Sequence, residues 1–223
     1  MNKKISLIIP AYNEVETIGQ VIKTAKKSDI FNEIVVVSDG STDGTVQKAL
    51  NYNVKTIALP SNIGKGAAMS VGIDNTTSEI IVFLDGDLVN LEVNHIKELV
   101  KPILLDDFDM SCGVFIEGRD STDFAQKITP WLTGQRALKR DVLDCCADLK
   151  SSKFGAELFL TKIAIEKSLK VKKVILKGLT HRTKEEKRGL IKGFISRMKM
   201  YWQVFDYFRR NNLNYNHINT VMK

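Results

Sequence analysis

Two acidic residues separated by a single glycine, Asp85, Gly86 and Asp87, follow the short apolar run at residues 80–84. A run of this length predicts a buried strand, and its carboxyl end would present both carboxylates at the edge of a sheet. Mg2+ and Mn2+ prefer oxygen ligands, and Mg2+ is commonly held by one or two carboxylates together with substrate phosphates. Asp and Gly are also frequent in turns, so the triplet by itself fits either a metal site or an ordinary turn.

Three earlier loops carry polar residues of a similar kind. They are Pro10 to Glu14, residues 38–45 and residues 62–66, and each lies beside a predicted strand end or helix start. Turn and cap chemistry explains each loop taken singly, because Pro10 is expected to end its strand and Asn13 to cap the following helix. The loops therefore predict a site only if the fold gathers them together.

Lys65 stands between Gly64 and Gly66 at the start of a predicted helix. A lysine in that position can reach an anionic ligand or a base carbonyl. The segment has neither the spacing of a P-loop nor the three-glycine pattern of a dinucleotide site. It therefore does not predict an ATPase.

Strands and helices alternate through residue 105. The predicted strands are 5–9, 34–37, 54–59 and 80–84, and the predicted helices are 15–27, 45–51, 65–74 and 91–105. This alternation predicts an α/β fold with a mainly parallel sheet. The carboxyl ends of parallel strands share one edge, so the polar loops should meet there. Further on, the pattern predicts strands at 110–116 and 171–176 and helices near 138–147 and 156–169.

The composition is that of an ordinary globular chain, with 43% hydrophobic and 26% charged residues among 223. No apolar run approaches the roughly 20 residues that cross a bilayer, and we expect neither a signal peptide nor a membrane anchor. Three cysteines without a Cys-x-x-Cys pair argue against a disulfide framework or a zinc site. We therefore expect a cytoplasmic protein.

Positive charge is concentrated near the carboxyl end, where residues 160–223 hold 16 Lys and Arg against 4 Asp and Glu. Such a segment suits phosphate, an anionic membrane or nucleic acid, and equally a solvated helix face. Apolar residues recur at three- and four-residue intervals across 189–211, which predicts an amphipathic helix. Three roles are open to this helix: packing on the core, forming a homodimer, or peripheral contact with the inner membrane face.

The four polar segments, taken in order, closely resemble those of the family 2 glycosyltransferases with the GT-A fold. They read Pro-Ala-Tyr-Asn-Glu, Ser-Asp-Gly-Ser-Thr-Asp-Gly-Thr, Asn-Ile-Gly-Lys-Gly and Asp-Gly-Asp. More loosely, residues 133–140, 154–157 and 179–182 resemble the glucosyl-3-phosphoglycerate synthases and the polyprenyl-phosphate sugar transferases of the dolichyl-phosphate mannose synthase type. The resemblance implies a Rossmann-like GT-A domain over 1–188, and the amphipathic pattern described above adds a helical extension over 189–223. Within that domain, residues 1–105 would bind the nucleotide sugar and residues 106–188 the acceptor.

The same resemblance implies where a nucleotide-sugar donor and a metal would bind. The donor-binding residues would be Pro10, Ala11, Tyr12, Glu14, Asp39, Lys65, Asp85 and Gly86. Asp39 would contact the base, and Lys65 would lie near the base or the ribose. Asp87 would bind Mg2+ or Mn2+, with Asp85 facing the ribose or the metal shell. His181 would be the third metal ligand.

On the acceptor side, the resemblance makes Glu157 the candidate to orient the acceptor or act as a base. Glu157 also begins a predicted helix, where interaction with the helix dipole explains it equally well. The other implied acceptor-binding residues are Arg119, Gly134, Gln135, Arg136 and Arg182. Arginine suits this role because its guanidinium matches phosphate oxygens.

The implied function is a hexosyltransferase that uses a metal, with Asp87 and Glu157 as catalytic residues. It would move a glucose-like sugar from a UDP-sugar to a phosphate-bearing small molecule or lipid, with the stereochemistry left open. A nucleotidyltransferase is one alternative, although it would have a glycine-rich loop where this chain has Pro10 to Glu14. The second alternative is a noncatalytic module that binds nucleotide sugars or nucleic acid, which the basic carboxyl segment would suit.

Overall fold

A seven-stranded mixed sheet flanked by helices forms the body of the protein in the computed structural model, which describes residues 3–116, 133–143, 149 and 155–182. The strands are β1 (Ile5–Ala11), β2 (Glu33–Ser38), β3 (Lys55–Ala58), β4 (Ile80–Phe83), β5 (Leu88–Val89), β6 (Met110–Ile116), β7 (Arg136–Lys139), β8 (Val171–Lys177) and β9 (Thr180–His181). The helices are α1 (Ile18–Ser28), α2 (Thr45–Leu50), α3 (Lys65–Asp74), α4 (Val93–Leu105) and α5 (Ala156–Glu166).

The strand order of the main sheet is β3-β2-β1-β4-β7-β6-β8. Strands β1 to β4 are parallel to their neighbours within that group, and β8 is parallel to β6. Strand β7 runs antiparallel to both β4 and β6. Strands β5 and β9 form a separate antiparallel pair. The predicted α/β class with a mainly parallel sheet is therefore confirmed.

Helices on both faces of the sheet bury its central strands. On β1, Leu7 and Ile9 belong to the core cluster that includes residues of α1 and α4, whereas Ile8 belongs to the cluster that includes residues of α3 and α5. All seven residues of β1 are buried. A strand covered on both faces reads as a continuous apolar run, which is why the sequence pattern identified β1 and β4.

Two local predictions in this region are wrong. Pro10 does not end β1, because the strand continues to Ala11 and Pro10 lies in register with Val37 of β2. Strand β4 pairs with β1 only as far as Ile8, so Pro10 lies where β1 has a single paired neighbour and its missing N–H is tolerated. Asn13 does not cap α1, since the cap residue is Thr17.

The prediction of a helix near residues 138–147 is also wrong for residues 138–143, the part of it that the structure describes. Leu138 lies in β7, opposite Ile81 of β4 and Met110 of β6, and a short 3-10 turn follows at Arg140–Val142. Pairing on both sides outweighs the helix-forming tendency of this segment. Arg119 and the predicted helix at 189–211 lie outside the described residues. Among those described, no helix is both long and apolar enough to cross a membrane.

Candidate active site

The first two polar loops at the carboxyl edge of the sheet are joined by hydrogen bonds. The Asn13 side-chain oxygen accepts a hydrogen bond from the Thr42 amide at 2.8 Å, and the Asn13 amide donates to the Ser41 hydroxyl at 3.1 Å. The Glu14 amide donates to the Thr45 hydroxyl at 2.8 Å. Asn13 therefore connects two loops, which is a different role from the predicted helix cap.

Asp39 organises the third loop. Its carboxylate is buried and accepts hydrogen bonds from the Ile63 amide at 2.8 Å and the Gly64 amide at 2.9 Å. These bonds hold the residues that precede Lys65 at the start of α3. Contact between Asp39 and a nucleotide base stays a prediction, and the observed role is to place Lys65.

Asp85, Asp87 and His181 form a cluster of three potential metal ligands. One ligand atom from each residue lies within 4.8 Å of the others. Asp85 and Asp87 flank Gly86 in the loop between β4 and β5, whereas His181 lies at the end of β9. The chain therefore brings the histidine predicted as third ligand to the predicted aspartate pair.

The small β5–β9 ladder determines where His181 lies. Leu88 is paired with His181 across this ladder, and the Arg182 amide donates to the Asp87 carbonyl at 3.0 Å. His181 Nδ1 lies 3.1 Å from Asp87 Oδ1. On its other side, the buried ring of Phe115 contacts the imidazole with a centroid separation of 4.8 Å. Backbone pairing and ring packing thus hold the imidazole beside the loop.

The charge of the cluster changes the protonation of His181. Burial alone would lower the pKa of the imidazole, but the hydrogen bond with Asp87 and the charges of Asp87 and Asp85 outweigh burial. The pKa of His181 is therefore raised above the usual value for histidine. Without a cation in the site, the imidazole tends to carry a proton that balances the two carboxylates.

Lys65 connects the cluster to Glu157. Its ammonium nitrogen lies 2.5 Å from Asp85 Oδ1 and 2.5 Å from Glu157 Oε1. Burial alone would raise the pKa of Glu157, but the charge of Lys65 and its hydrogen bond outweigh burial and lower that pKa. In the same way, the two carboxylates outweigh burial and raise the pKa of Lys65. Lys65 and Glu157 are therefore both charged near neutral pH.

Two glycines give the charged groups room to approach the backbone. A Cβ at Gly86 would collide with the Glu14 carboxylate, which lies against the Asp-Gly-Asp loop. A Cβ at Gly134 would come within 2.6 Å of Asp85 Oδ1 and 2.5 Å of Lys65 Nζ. The structure therefore brings Glu14, Gly86 and Gly134 to the cluster and gives the glycines a steric reason, while their predicted roles in donor and acceptor binding stay predictions.

Two predicted acceptor-binding residues lie in the interior. Arg136 is 1% exposed and donates hydrogen bonds to the Thr133 carbonyl, the Glu157 carbonyl and the Thr161 hydroxyl. This placement favours a structural role, in which Arg136 ties β7 to the first turn of α5, over the predicted contact with an acceptor phosphate. Gln135 is likewise fully buried, with its amide nitrogen 3.0 Å from Asp85 Oδ2.

Of the remaining predicted residues, Pro10 and Ala11 are buried in β1, whereas Arg182 and Tyr12 are more exposed. Arg182 pairs with Glu16 at 2.5 Å, next to the Asp87 carbonyl that its own amide contacts. Tyr12 is exposed beyond the end of β1. Sequence reasoning did not single out Glu16, Thr133 or Phe115. The contacts of Glu16 and Phe115 join distant segments, whereas Thr133 bonds to Gln135 only two residues away.

Comparison with known proteins agrees with this geometry. The profile of Glycosyl transferase family 2 matches residues 6–157, which span every polar loop described above except the one that carries His181. The chain belongs to glycosyl transferase family 2. The match ends at Glu157, so it includes β1 to β7 and the first residues of α5.

Two curated relatives are similar to this chain over only part of their own length. The dodecaprenyl-phosphate galacturonate synthase of Rhizobium johnstonii is 26% identical over 80% of this chain and 52% of its own length. The glucosyl-3-phosphoglycerate synthase of Mycolicibacterium smegmatis is 32% identical over 46% of this chain and 37% of its own length. The chain therefore matches about half or less of these relatives.

Solved structures show the same fold. A crystal structure of glucosyl-3-phosphoglycerate synthase from Mycobacterium tuberculosis, in complex with Mn2+ and UDP-glucose, superposes with a TM-score of 0.67. It covers 87% of this chain and 79% of the other, at 24% sequence identity. The family 2 chain thus has the GT-A fold that its loops predict.

Proposed function

We propose that this protein is a metal-dependent glycosyltransferase that moves a hexose from a UDP-sugar to a phosphate-bearing acceptor. The observation that carries the proposal is the convergence of Asp85, Asp87 and His181 within 4.8 Å at the carboxyl edge of a family 2 sheet. This edge is where open α/β sheets bind their ligands. A nucleotidyltransferase is disfavoured by the family match.

The donor set of the cluster fits Mn2+ or Mg2+. Carboxylate oxygens suit both ions, and one imidazole is better matched to Mn2+. Asp87 and His181 would hold the ion, with Asp85 beside it. When bound, the ion would supply positive charge that neutralises the diphosphate of the departing nucleotide. The described residues offer three ligand groups here, so oxygen atoms of the donor phosphates would supply further ones.

UDP-glucose is the first donor to test. A relative of the same fold binds Mn2+ and UDP-glucose in the crystal. In this chain, Lys65 lies beside Asp85, so its ammonium group would add positive charge near a bound diphosphate. Glu14, Asp39 and Tyr12 lie on the adjoining loops, where the nucleotide would be held.

The acceptor is proposed to carry a phosphate. The names of both curated relatives describe products built on a phosphate-bearing molecule, one a polyprenyl lipid and the other a small acid. Among the described arginines, Arg182 is the one proposed to meet such a group, because its backbone amide contacts the Asp87 carbonyl and its guanidinium, paired with Glu16, is partly exposed. The Glu157 carboxylate, on the other side of Lys65, is the candidate to orient the acceptor hydroxyl or phosphate.

Release of UDP provides the test. Wild-type protein with Mn2+ and 3-phosphoglycerate, or with a polyprenyl phosphate in detergent, is expected to release UDP from UDP-glucose or a closely related UDP-hexose. The measurement is a coupled UDP assay over a panel of UDP, GDP and TDP sugars, each with and without chelator. No sugar-nucleotide turnover and no metal-dependent binding of any of these donors would refute the proposal.

The raised pKa of His181 leads to a prediction about pH. The imidazole must lose its proton to bind a metal, so Mn2+ affinity should increase with pH and continue to increase above the usual histidine pKa of about 6.5. Calorimetric titration of Mn2+ with UDP between about pH 6 and pH 8.5 measures this dependence. His181→Gln should bind more weakly and with a flatter pH profile. An equal pH dependence in both proteins would remove His181 from the metal site.

A further inference from the structure

Asp85 is held from two sides by donors that lie on different elements. Lys65 of α3 contacts Oδ1 at 2.5 Å, and the side-chain amide of Gln135, just before β7, donates to Oδ2 at 3.0 Å. With a donor on each oxygen, the plane of the carboxylate is fixed as well as its position. Removal of either donor would let the carboxylate rotate.

Thr133 sets the orientation of the Gln135 amide. The Thr133 hydroxyl donates to Gln135 Oε1 at 2.8 Å and accepts from the Gln135 backbone amide at 3.2 Å. An ionised carboxylate only accepts hydrogen bonds, so the amide atom that faces Asp85 must be the nitrogen. The hydroxyl contact and the carboxylate contact therefore require the same orientation of the amide.

The Gln135 side chain is buried and does not reach the protein surface. Gln135 and Thr133 are 0% and 1% exposed. The backbone carbonyl of Gln135 accepts from the Gly113 amide at 2.9 Å, and a Cβ on Gly113 would come within 3.2 Å of the Gln135 Cβ. The intervening Gly134 leaves space for Asp85 and Lys65. An acceptor molecule therefore has no direct access to the Gln135 amide.

We propose that Gln135 is a positioning residue that acts through Asp85, with Thr133 fixing the orientation of its amide. This inference rests on the proposed function, because its purpose is to hold Asp85 in the geometry that the donor and the metal require. It changes the role that the sequence predicts for Gln135 from acceptor binding to control of the donor side. It also gives a role to Thr133.

The test combines substitutions with a double-mutant cycle. Gln135→Leu removes the donor at similar volume, and affinity for UDP with Mn2+ should fall by about tenfold or more, the scale of a lost hydrogen bond to a charged group. Thr133→Val should weaken binding by a smaller factor, and Thr133→Ser should restore most of that loss because the hydroxyl is kept. Calorimetry gives the affinities, and kcat and KM for the donor are measured in parallel.

The cycle separates positioning from general support of the fold. If Gln135 acts through Asp85, Gln135→Leu should cost less than about twofold in an Asp85→Ala background. An equal cost in both backgrounds, or no cost in the wild type, would overturn the proposal.

A wild-type protein that binds no UDP with Mn2+ would refute the proposed function instead. In that case, hydrogen exchange of the Gln135 side-chain amide still tests the hydrogen bond between Gln135 and Asp85. Exchange should be slow in the wild type and fast in Asp85→Ala. Fast exchange in the wild type would overturn the proposal.

Discussion

Asp87→Asn is expected to reduce metal-dependent release of UDP by about two to three orders of magnitude, the scale seen when one group that stabilises transition-state charge is removed. Asparagine keeps the shape of the side chain but removes the negative charge next to His181. The variant should fold, because the Asp87 backbone carbonyl still accepts from the Arg182 amide. Weak metal binding with intact folding is therefore the expected phenotype.

The measurement is a Mn2+ titration of UDP release, together with calorimetry of UDP binding with and without the ion. Asp74→Asn is a matched control, since Asp74 is an exposed aspartate at the end of α3. The control should keep wild-type turnover and metal affinity. If Asp87→Asn binds Mn2+ with UDP as tightly as the wild type, Asp87 is not a metal ligand.

Much of the sheet could be predicted because its signals are local. Strand β6 and helix α3 have the predicted bounds, Met110–Ile116 and Lys65–Asp74. A buried strand between polar turns and a helix preceded by glycine each produce a recognisable sequence pattern within a few residues. The same reasoning failed for β7, whose four residues Arg136–Lys139 contain no β-branched or aromatic side chain. Only its two neighbours in the sheet make it a strand.

The candidate site likewise contains residues that local sequence signals predict and a contact that they do not. Asp85 and Asp87 come within four residues of the end of β4 at Phe83, so their position at the sheet edge could be deduced from spacing. The contact between His181 and Asp87 spans 94 residues and depends on two-residue strands, which are too short to show any periodicity. The resemblance to the family supplied the candidate His181, and the β5–β9 ladder supplies the physical reason.

The ion pair of Glu157 with Lys65 could not be predicted from the sequence. Its position at the start of α5 suggested either a dipole interaction or a catalytic group. The structure adds Lys65, 92 residues away, as a partner of both Glu157 and Asp85. An ion pair over that separation has no sequence signature, yet it decides the charge state of the carboxylate.

Lys65→Met is expected to reduce both activity and stability. The substitution leaves Asp85 and Glu157 close together without their shared cation, and neither carboxylate keeps the contact that offset its desolvation. Breaking a buried ion pair from one side costs about 3–5 kcal/mol. These side chains are 16–31% exposed, so we expect a loss of about 2 kcal/mol in the free energy of unfolding.

The dependence on pH follows from the two pKa shifts. The folded-state pKa of Glu157 is lowered, so its contribution to stability is present above the unfolded pKa and is lost as pH falls through the folded value. The folded-state pKa of Lys65 is raised, so its contribution is present below the unfolded pKa. The wild type should thus exceed Lys65→Met in stability across neutral pH, and the difference should shrink in acid.

A second substitution separates stability from catalysis. Adding Glu157→Gln to Lys65→Met removes one of the two uncompensated charges, so unfolding experiments should show part of the stability restored, while UDP release stays low. Lys162→Met is the control, because within the described part of the chain Lys162 pairs on the surface with Glu166, at 3.5 Å on α5. That pair is worth less than about 0.5 kcal/mol. If Lys65→Met is no less stable than Lys162→Met, Lys65 does not hold the two carboxylates together. If the double variant releases UDP as fast as the wild type, neither Lys65 nor Glu157 belongs to the catalytic machinery.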